Sequence, residues 1–467
     1  MSHTLAYESW DVLVIGGGAA GIGAAIAAAR NGARVLMVDA GPMIGGELVS
    51  GIPVDGCLSS RGEWVVGGVC RDLFAECERL GGYIGPINDY RSLHVVAVDP
   101  EIMKIAVVNL VHRAGVTMRL YTYADDVVME RGRVRGVVIV NKGRRTLIEA
   151  KIVIDASGDG DVALAAGAPF DAGDAAKGEL QPVTLLFRMV GVESETLLRF
   201  AKEHPENFGF GEYEGIGLSP RECAEALYRQ GLPKLFVVAN GPVMREAIAA
   251  GELHRSSMIG ITPTSIARKE VSLNTTRIGY LDATDTPKLS AALPDLVRQV
   301  WDCAGFLKKR MPGFEQAVFS GLAPRIGIRE TRRIMGEYVL SDDDVAQARK
   351  HENGIAKGAH EIDVHLAGTG HMRRAIAGGG SYDIPYPSLL PRGIANMFVI
   401  GRCFSSTRIA HSSARVMGTC LAMGQAAGTA AAIASSANTW SGDLRSLDVP
   451  RLRDVLRSQG AILEGTA

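Results

Sequence analysis

Gly16-Gly17-Gly18-Ala19-Ala20-Gly21 matches the pattern G-x-G-x-x-G, and Asp39 follows Gly16 by 23 residues. Each position has a physical use in holding a dinucleotide. Gly16 permits a tight turn, and Gly18 lets backbone approach a pyrophosphate at a helix N-terminus. Gly21 lets helix and strand pack closely, and Asp39 accepts from a ribose hydroxyl. The same spacing also arises in glycine-rich turns that hold no ligand. Further along, Arg329, Arg332 and Arg333 lie in IRETRR. A helix would put 329 and 332 or 333 on one face, and a strand would do so for 329 and 333; either suits a carboxylate. A structural ion-pair network with Glu330 and Glu337 is the competing reading. His365 closes EIDVH, and His411 precedes a run of small residues. Histidine moves protons near neutral pH. A hydrogen-bonded core histidine is the plainer reading of each.

The elements around these residues are those of a βαβ unit. Asp11–Ile15 (DVLVI) is a short apolar run, as in a strand buried on both faces. Ala19–Asn31 favours helix, Gly32 suits the position past its end, and Arg34–Val38 is a second buried strand ending at Asp39. A helix over 100–114, a strand over 117–120 and a strand pair over 126–130 and 134–141 follow. Lys151–Ala156 is another buried strand, ending in the glycine cluster 158–160. The composition changes after Pro182, where a strand over 183–192 opens a stretch richer in Pro, Thr and isolated charges. Asn396–Ile400 then returns to the first pattern, followed by a small-residue helix to about Ala434 and a surface helix over 449–459. The expected fold class is α/β. A Rossmann-type nucleotide-binding domain spans 1–182 and returns over 396–467, with an inserted α+β substrate domain over 183–327 and a mixed pocket segment over 328–395.

Composition limits the function classes. The chain has 467 residues, with Lys+Arg 50 against Asp+Glu 51, a net charge of −1. That balance argues against nucleic acid or an anionic membrane as partner. No run approaches the roughly 18 apolar residues of a spanning helix, and no basic region precedes the first strand, so a cytoplasmic protein without membrane insertion is expected. The seven cysteines are spread without a C-x-x-C, which excludes a disulfide scaffold or a cysteine metal cluster; no metal is expected. Cys403 reads as packed. Asp343–Asp344 and His371–Arg374 read as solvated charge.

The fingerprint cannot separate NAD from FAD. The resemblance of the whole chain does. DVLVIGGGAAGIGAAIAAARNGARVLMVDA (11–40), VIDASGDGD (153–161), VSLNTTRIGYLDATD (271–285), IGIRETRRIMGEYVLSDDDV (326–345), EIDVH (361–365), YDIPYPSLLP (382–391) and VIGRCFSSTRIAHSSARVMGTCLAMGQAAG (399–428) carry it. In these segments the chain resembles FAD-dependent oxidoreductases of the FAD_oxidored type, relatives of the fumarate reductase and succinate dehydrogenase flavoproteins. The resemblance implies FAD in a glutathione-reductase-like fold, with the pyrophosphate at Gly16, Gly18, Ala20 and Gly21 and the ribose at Asp39. It further implies Gly45 and Gly46 near the pyrophosphate or ribityl chain and backbone of Val127 at the adenine. Ala156, Ser157, Gly158 and Asp159 would lie along the cofactor, and Gly401, Arg402, Gln425 and Ala426 near ribityl and flavin. Ala40 departs from relatives that carry a charged residue there. On the substrate side it implies Arg329 or Arg332 on an anionic group and His365 or His411 moving a proton, with Arg415 facing flavin or substrate.

The expected activity is hydride transfer between a small, carboxylate-bearing substrate and FAD. The alternatives are a flavin monooxygenase, a non-redox enzyme using FAD, or a flavin-bound interaction protein. No second glycine fingerprint follows a strand, so an unidentified electron donor or acceptor is required. A homo-oligomer is compatible with the sequence.

Overall fold

The computed structural model describes residues 6–174, 178–212, 214–365, 370–437 and 441–465. Parts of the expected segments 1–182, 183–327, 328–395 and 396–467 therefore lie outside the described residues.

Seven strands form the first sheet. Its path runs Thr117–Arg119, Val35–Val38, Ala6–Ile15, Arg144–Asp155, Arg133–Asn141 and Tyr123–Glu130, and Met397–Val399 also pairs with Arg144–Asp155. The members with unbroken apolar runs are parallel, and they stop level with one another. Ile15 lies beside Val38 and Asp155, and Asp155 beside Val399. Val12, Leu13 and Val14 are wholly buried, because both faces of the sheet are covered. The strand expected at 151–156 begins instead at Arg144. Its first half pairs antiparallel with 136–141, and only its end pairs with the returning strand.

The helix Ala19–Arg30 follows the first strand and packs on Met417–Ser436. A Cβ added at Gly424 or Gly428 would lie 2.1 Å from the carbonyl oxygens of Ala20 and Ala24. Small residues here serve helix packing, with the two backbones almost touching. The single helix expected after Gly401 is broken at Arg415–Val416, and its pieces, Arg408–Ala414 and Met417–Ser436, meet at 90°. Val416 is extended and caps the second piece. Among the described residues no single helix is long and apolar enough to cross a membrane, and this bent pair is largely buried.

The second sheet is antiparallel, in the order Leu235–Val238, Met258–Ser265, Glu270–Asn274, Phe187–Val190, Val318–Leu322. It has its own core, including Phe187, Leu227, Ile259, Leu273, Leu296 and Phe314. The strand expected over 183–192 is shorter. Val183 and Thr184 make only isolated bridges, and Gly191, at φ +81, turns the chain out of the sheet. Two hairpins went unread in the sequence: Tyr83–Asn88 with His94–Val98, and Ile362–His365 with His371–Arg374. Both reach the space between the sheets.

Candidate active site

One long cleft opens where the parallel strands end and runs to the second sheet. Gly16, Gly18, Ala20, Asp39, Gly46, Ala156, Ser157, Gly158, Asp159, Gly401 and Arg402 all line it. Gly16 has φ +100, and a Cβ there would sit 2.4 Å from the Ala156 carbonyl, so only glycine fits. Gly21 is required in another way: its Cβ would strike the Gly16 carbonyl at 1.8 Å. Gly18 differs from both. Its φ of −80 suits any residue, and a Cβ there would meet nothing within 4 Å. The chain itself gives no reason for glycine at this position. A ligand at the helix N-terminus does. Asp39 ties two loops together, its carboxylate accepting from Gly17 N at 2.6 Å and Gly41 N at 2.7 Å.

Six sequence-expected cofactor residues lie elsewhere. Gly21 and Gly45 shape the loops without lining the cleft; Gly45 N donates to the Gly17 carbonyl at 2.7 Å. Val127 sits in the antiparallel excursion opposite Val137, away from the strand ends. Gln425 and Ala426 lie two turns inside the C-terminal helix. The Gln425 amide oxygen accepts from Val69 N at 3.0 Å, and Ala426 is buried. Val416, Met417 and Cys420 line the cleft instead, because the helix begins at Met417. Ala40 is also absent from the lining. Asp159 accepts from Arg402 Nη2 and Thr331 Oγ1, both at 2.8 Å. Burial would raise its pKa, but these partners hold it below the usual range.

The four catalytic candidates separate two and two. Arg329 and His365 line the cleft; Arg332 and His411 do not. Arg332 reaches away to Asp161, 2.8 Å off, and Arg333 is buried against Glu330 at 2.6 Å and Asp171 at 2.9 Å. Glu337 pairs with Arg445. His411 is wholly buried, its Nε2 2.7 Å from the Arg402 carbonyl, and burial holds it far below its ordinary pKa. It holds a turn in place.

Arg329 donates to the Pro182 carbonyl at 2.8 Å and lies in a crowd of cations. Burial, Arg415 and Arg277 together bring its pKa down to about 9. Facing them are Asp363 and Glu47, and burial pushes Glu47 towards its neutral form. His365 is held at both nitrogens: Arg277 Nη2 lies 2.9 Å from Nδ1, and Asp363 Oδ2 lies 3.2 Å from Nε2. Burial pulls it down to about 3, so it stays neutral. His371 stacks on it, ring centroids 4.7 Å apart, with Nε2 bonded to Asp363 Oδ1.

His371 and Arg373, expected as solvated charge, are therefore mostly buried, and both line the cleft. Asp344 is also wholly buried, accepting from Tyr338 and Ser341 and pairing with Arg349. Sequence reasoning passed over these residues because a short run of charges reads as surface until a hairpin turns it inward. Asp363, His365 and His371 also have the spacing of a metal triad. Arg277 donates to His365 Nδ1, which leaves the proton on Nε2, the atom that faces Asp363 and would have to bind the ion. All seven cysteines are buried. Cys57 and Cys70 approach within 3.6 Å, but burial drives the Cys57 thiol far up, as expected of an inert packed thiol.

Residues 11–456 match the family described as FAD dependent oxidoreductase. The chain belongs to this family. It is an enzyme, and its cofactor is FAD. A digeranylgeranylglycerophospholipid reductase of Methanosphaerula palustris is 29% identical over 163 residues, covering 32% of this chain and 38% of that protein. Its counterpart in Thermoplasma volcanium is 30% identical over 169 residues, 32% of this chain and 40% of the relative. The matched segments thus span about two fifths of those relatives. Among solved structures, a geranylgeranyl bacteriochlorophyll reductase-like protein from Thermoplasma acidophilum is 14% identical, with TM-score 0.44, over 97% of this chain and 85% of its own. A flavin-dependent brominase is 15% identical, with TM-score 0.47, over 96% and 83%. The open space at Gly18, the helix N-terminus beside it and the Asp39 carboxylate fit the FAD diphosphate and ribose.

Proposed function

We propose that this FAD-dependent oxidoreductase moves a hydride between the flavin and a small anionic substrate, carboxylate-bearing in the simplest case. The observation that carries this reading is the gathering of buried guanidinium groups at the cleft around Arg329, which makes no ion pair with a described residue and whose pKa is brought down to about 9 by burial first and then by Arg415 and Arg277. A buried charge without a partner is costly, and an anionic substrate would supply one. Arg329 and Arg415 would hold its anionic group, with Arg415 Nε, buried and without a hydrogen bond to the described residues, donating as well. FAD, when bound, supplies the centre that takes or gives the hydride. The accompanying proton is assigned to His371. Asp363 orients it through Nε2, and its Nδ1 makes no hydrogen bond to the described residues. His365, held at both nitrogens, fixes Asp363.

We also read the fold as glutathione-reductase-like, with residues 1–182 and 396–467 carrying the cofactor, 183–327 walling the substrate space and 328–395 supplying its charged groups. An external electron donor or acceptor completes turnover. Anaerobic mixing of the FAD-loaded enzyme with a panel of hydroxy, amino and unsaturated carboxylates tests the reading. Flavin bleaching by a carboxylate, or reoxidation of reduced flavin by one, is the expected result. Flavin reduced only by NAD(P)H, with oxygen then consumed, would replace it with a monooxygenase.

A further inference from the structure

Lys234 is 3% exposed, yet its ammonium makes no hydrogen bond or ion pair with any described residue. The ammonium nitrogen lies over the ring of Phe236, 4.0 Å from its centroid. Arg91 also lies over that ring, 4.7 Å from its centroid. Both cations line the cleft where the second sheet forms its wall. Cation–π contact recovers only part of what an ammonium loses on leaving water.

Two carboxylates in the same stretch of cleft are also incompletely used. Asp89 Oδ1 accepts from the backbone N–H groups of Arg91, Ser92 and Leu93 at 2.8–2.9 Å, whereas Oδ2 is buried with no hydrogen-bond partner. Asp55 Oδ1 is likewise buried and unbonded. Both act electrostatically on Lys234, yet neither forms an ion pair with it. Donor and acceptors thus face one gap without closing it. Leu93, Val95, Phe236 and Met258 supply apolar walls.

We propose that Lys234, Asp89 and Asp55 form a second substrate subsite, which takes a neutral group that both accepts and donates hydrogen bonds, a hydroxyl or a carboxamide. An oxygen of such a group would accept from Lys234, and its hydrogen would go to Asp89 or Asp55. A second carboxylate is disfavoured by the two aspartates, and an ammonium by Lys234 and Arg91. An unsubstituted alkyl end would leave three polar groups unpaired, which is how a hydrogen-bonding pocket rejects apolar analogues. The substrate class follows: an anion at one end, held as in the reading above on which this inference rests, and a neutral polar group at the other.

The test uses the FAD-loaded enzyme and a ladder of linear carboxylates of four to eight carbons. Each is offered with an ω-hydroxyl, ω-carboxamide, ω-carboxylate, ω-ammonium or plain methyl end. At the length that spans the cleft, the hydroxyl or carboxamide end should bind at least about tenfold more tightly than the methyl or charged ends, by perturbation of the flavin spectrum. Lys234→Met should erase that preference. It should also melt a few degrees higher than wild type in the absence of carboxylates, because an unpaired buried charge is replaced by an apolar chain of similar length. A preference that survives Lys234→Met, no preference at any length, or a variant that melts lower, as loss of a structural ion pair would give, overturns the proposal. If wild-type enzyme binds none of the carboxylates, the anionic-substrate reading fails, and the melting comparison alone decides the role of Lys234.

Discussion

The two ends of the cleft are built from different materials. Around Gly16, Gly18, Asp39, Ala156 and Gly401 the wall is mostly main chain, set by strands whose last residues are in register. Around Arg329, Asp363, His365, His371 and Arg415 it is side chain, drawn from separate stretches and crowded with charge. Main chain recognises what every member of a family must hold, because substitution hardly alters where an N–H points. Side chains recognise what can differ between members. In the proposed function, cofactor binding is fixed by geometry and substrate choice by replaceable charges.

The sharpest break between the ends comes from Gly18→Val. Its side chain enters the open cleft, where a Cβ meets nothing within 4 Å, so the apoprotein should melt as wild type does while bound flavin is lost. Gly21→Val, driven into the Gly16 carbonyl, should instead fail to fold. Flavin content and apoprotein melting separate the two. If Gly18→Val keeps its flavin, the pyrophosphate is not at the fingerprint.

At the other end, His371→Gln should retain flavin and lose about 10²- to 10⁴-fold in flavin reduction rate, the range for a general acid–base group. Asp363→Asn should follow it, because the carboxylate orients both histidines. An undiminished single-turnover rate in His371→Gln would remove it from the mechanism. Arg329→Met should cost roughly thirty- to several-thousand-fold in substrate affinity or rate, with Lys a poor replacement.

Arg329 also predicts a pH dependence. Its folded pKa of about 9 lies below its ordinary value, so the charged form that grips an anion is present below about 9 and lost above it. Anion affinity should hold steady from neutral pH to about 9 and then fall, up to tenfold per pH unit. Linkage runs the other way for the free protein: discharging a cation that burial disfavours adds stability as pH rises through this pKa. Affinity unchanged up to pH 10.5, together with unchanged affinity in Arg329→Met, would mean that Arg329 does not hold the anion. The smallest effect belongs to Arg332→Ala, which breaks bonds to Asp161 and to the Asp159 carbonyl; turnover should be unchanged and stability should fall by about 1–2 kcal/mol.

The same contrast governs how much could be read in the sequence. Gly16, Gly18, Gly21 and Asp39 lie within 24 residues, and the strand–turn–helix that positions them is local. Gln425 was misplaced for a physical reason: the small-residue run has no internal mark at Arg415–Val416, where the chain turns by 90° before the second helix starts. Arg329 and His365 could be found by chemical type, but the partners that set their charge could not. Arg277 lies 88 residues before His365 and meets it only because the second sheet faces the 362–374 hairpin. Lys234 and Asp55 lack any local pattern, and their lack of partners exists only in the folded chain.

The near-contact of the two glycine-bearing helices has a consequence in time. Ala19–Arg30 is synthesised well before Gly424 and Gly428, which lie against it. At about 5–20 residues per second, the intervening stretch of roughly 400 residues keeps the ribosome busy for some 20–80 s. Throughout that interval the apolar face of the first helix lacks its cover, and the strand end before Gly401, one side of the cofactor cleft, does not yet exist. A nascent chain can therefore complete its FAD site only once Gly401 and the helix Met417–Ser436 have been made. The second sheet, closed within 187–322, is free to finish earlier. Late loading, with a long exposure of one helix beforehand, is built into the order of the sequence.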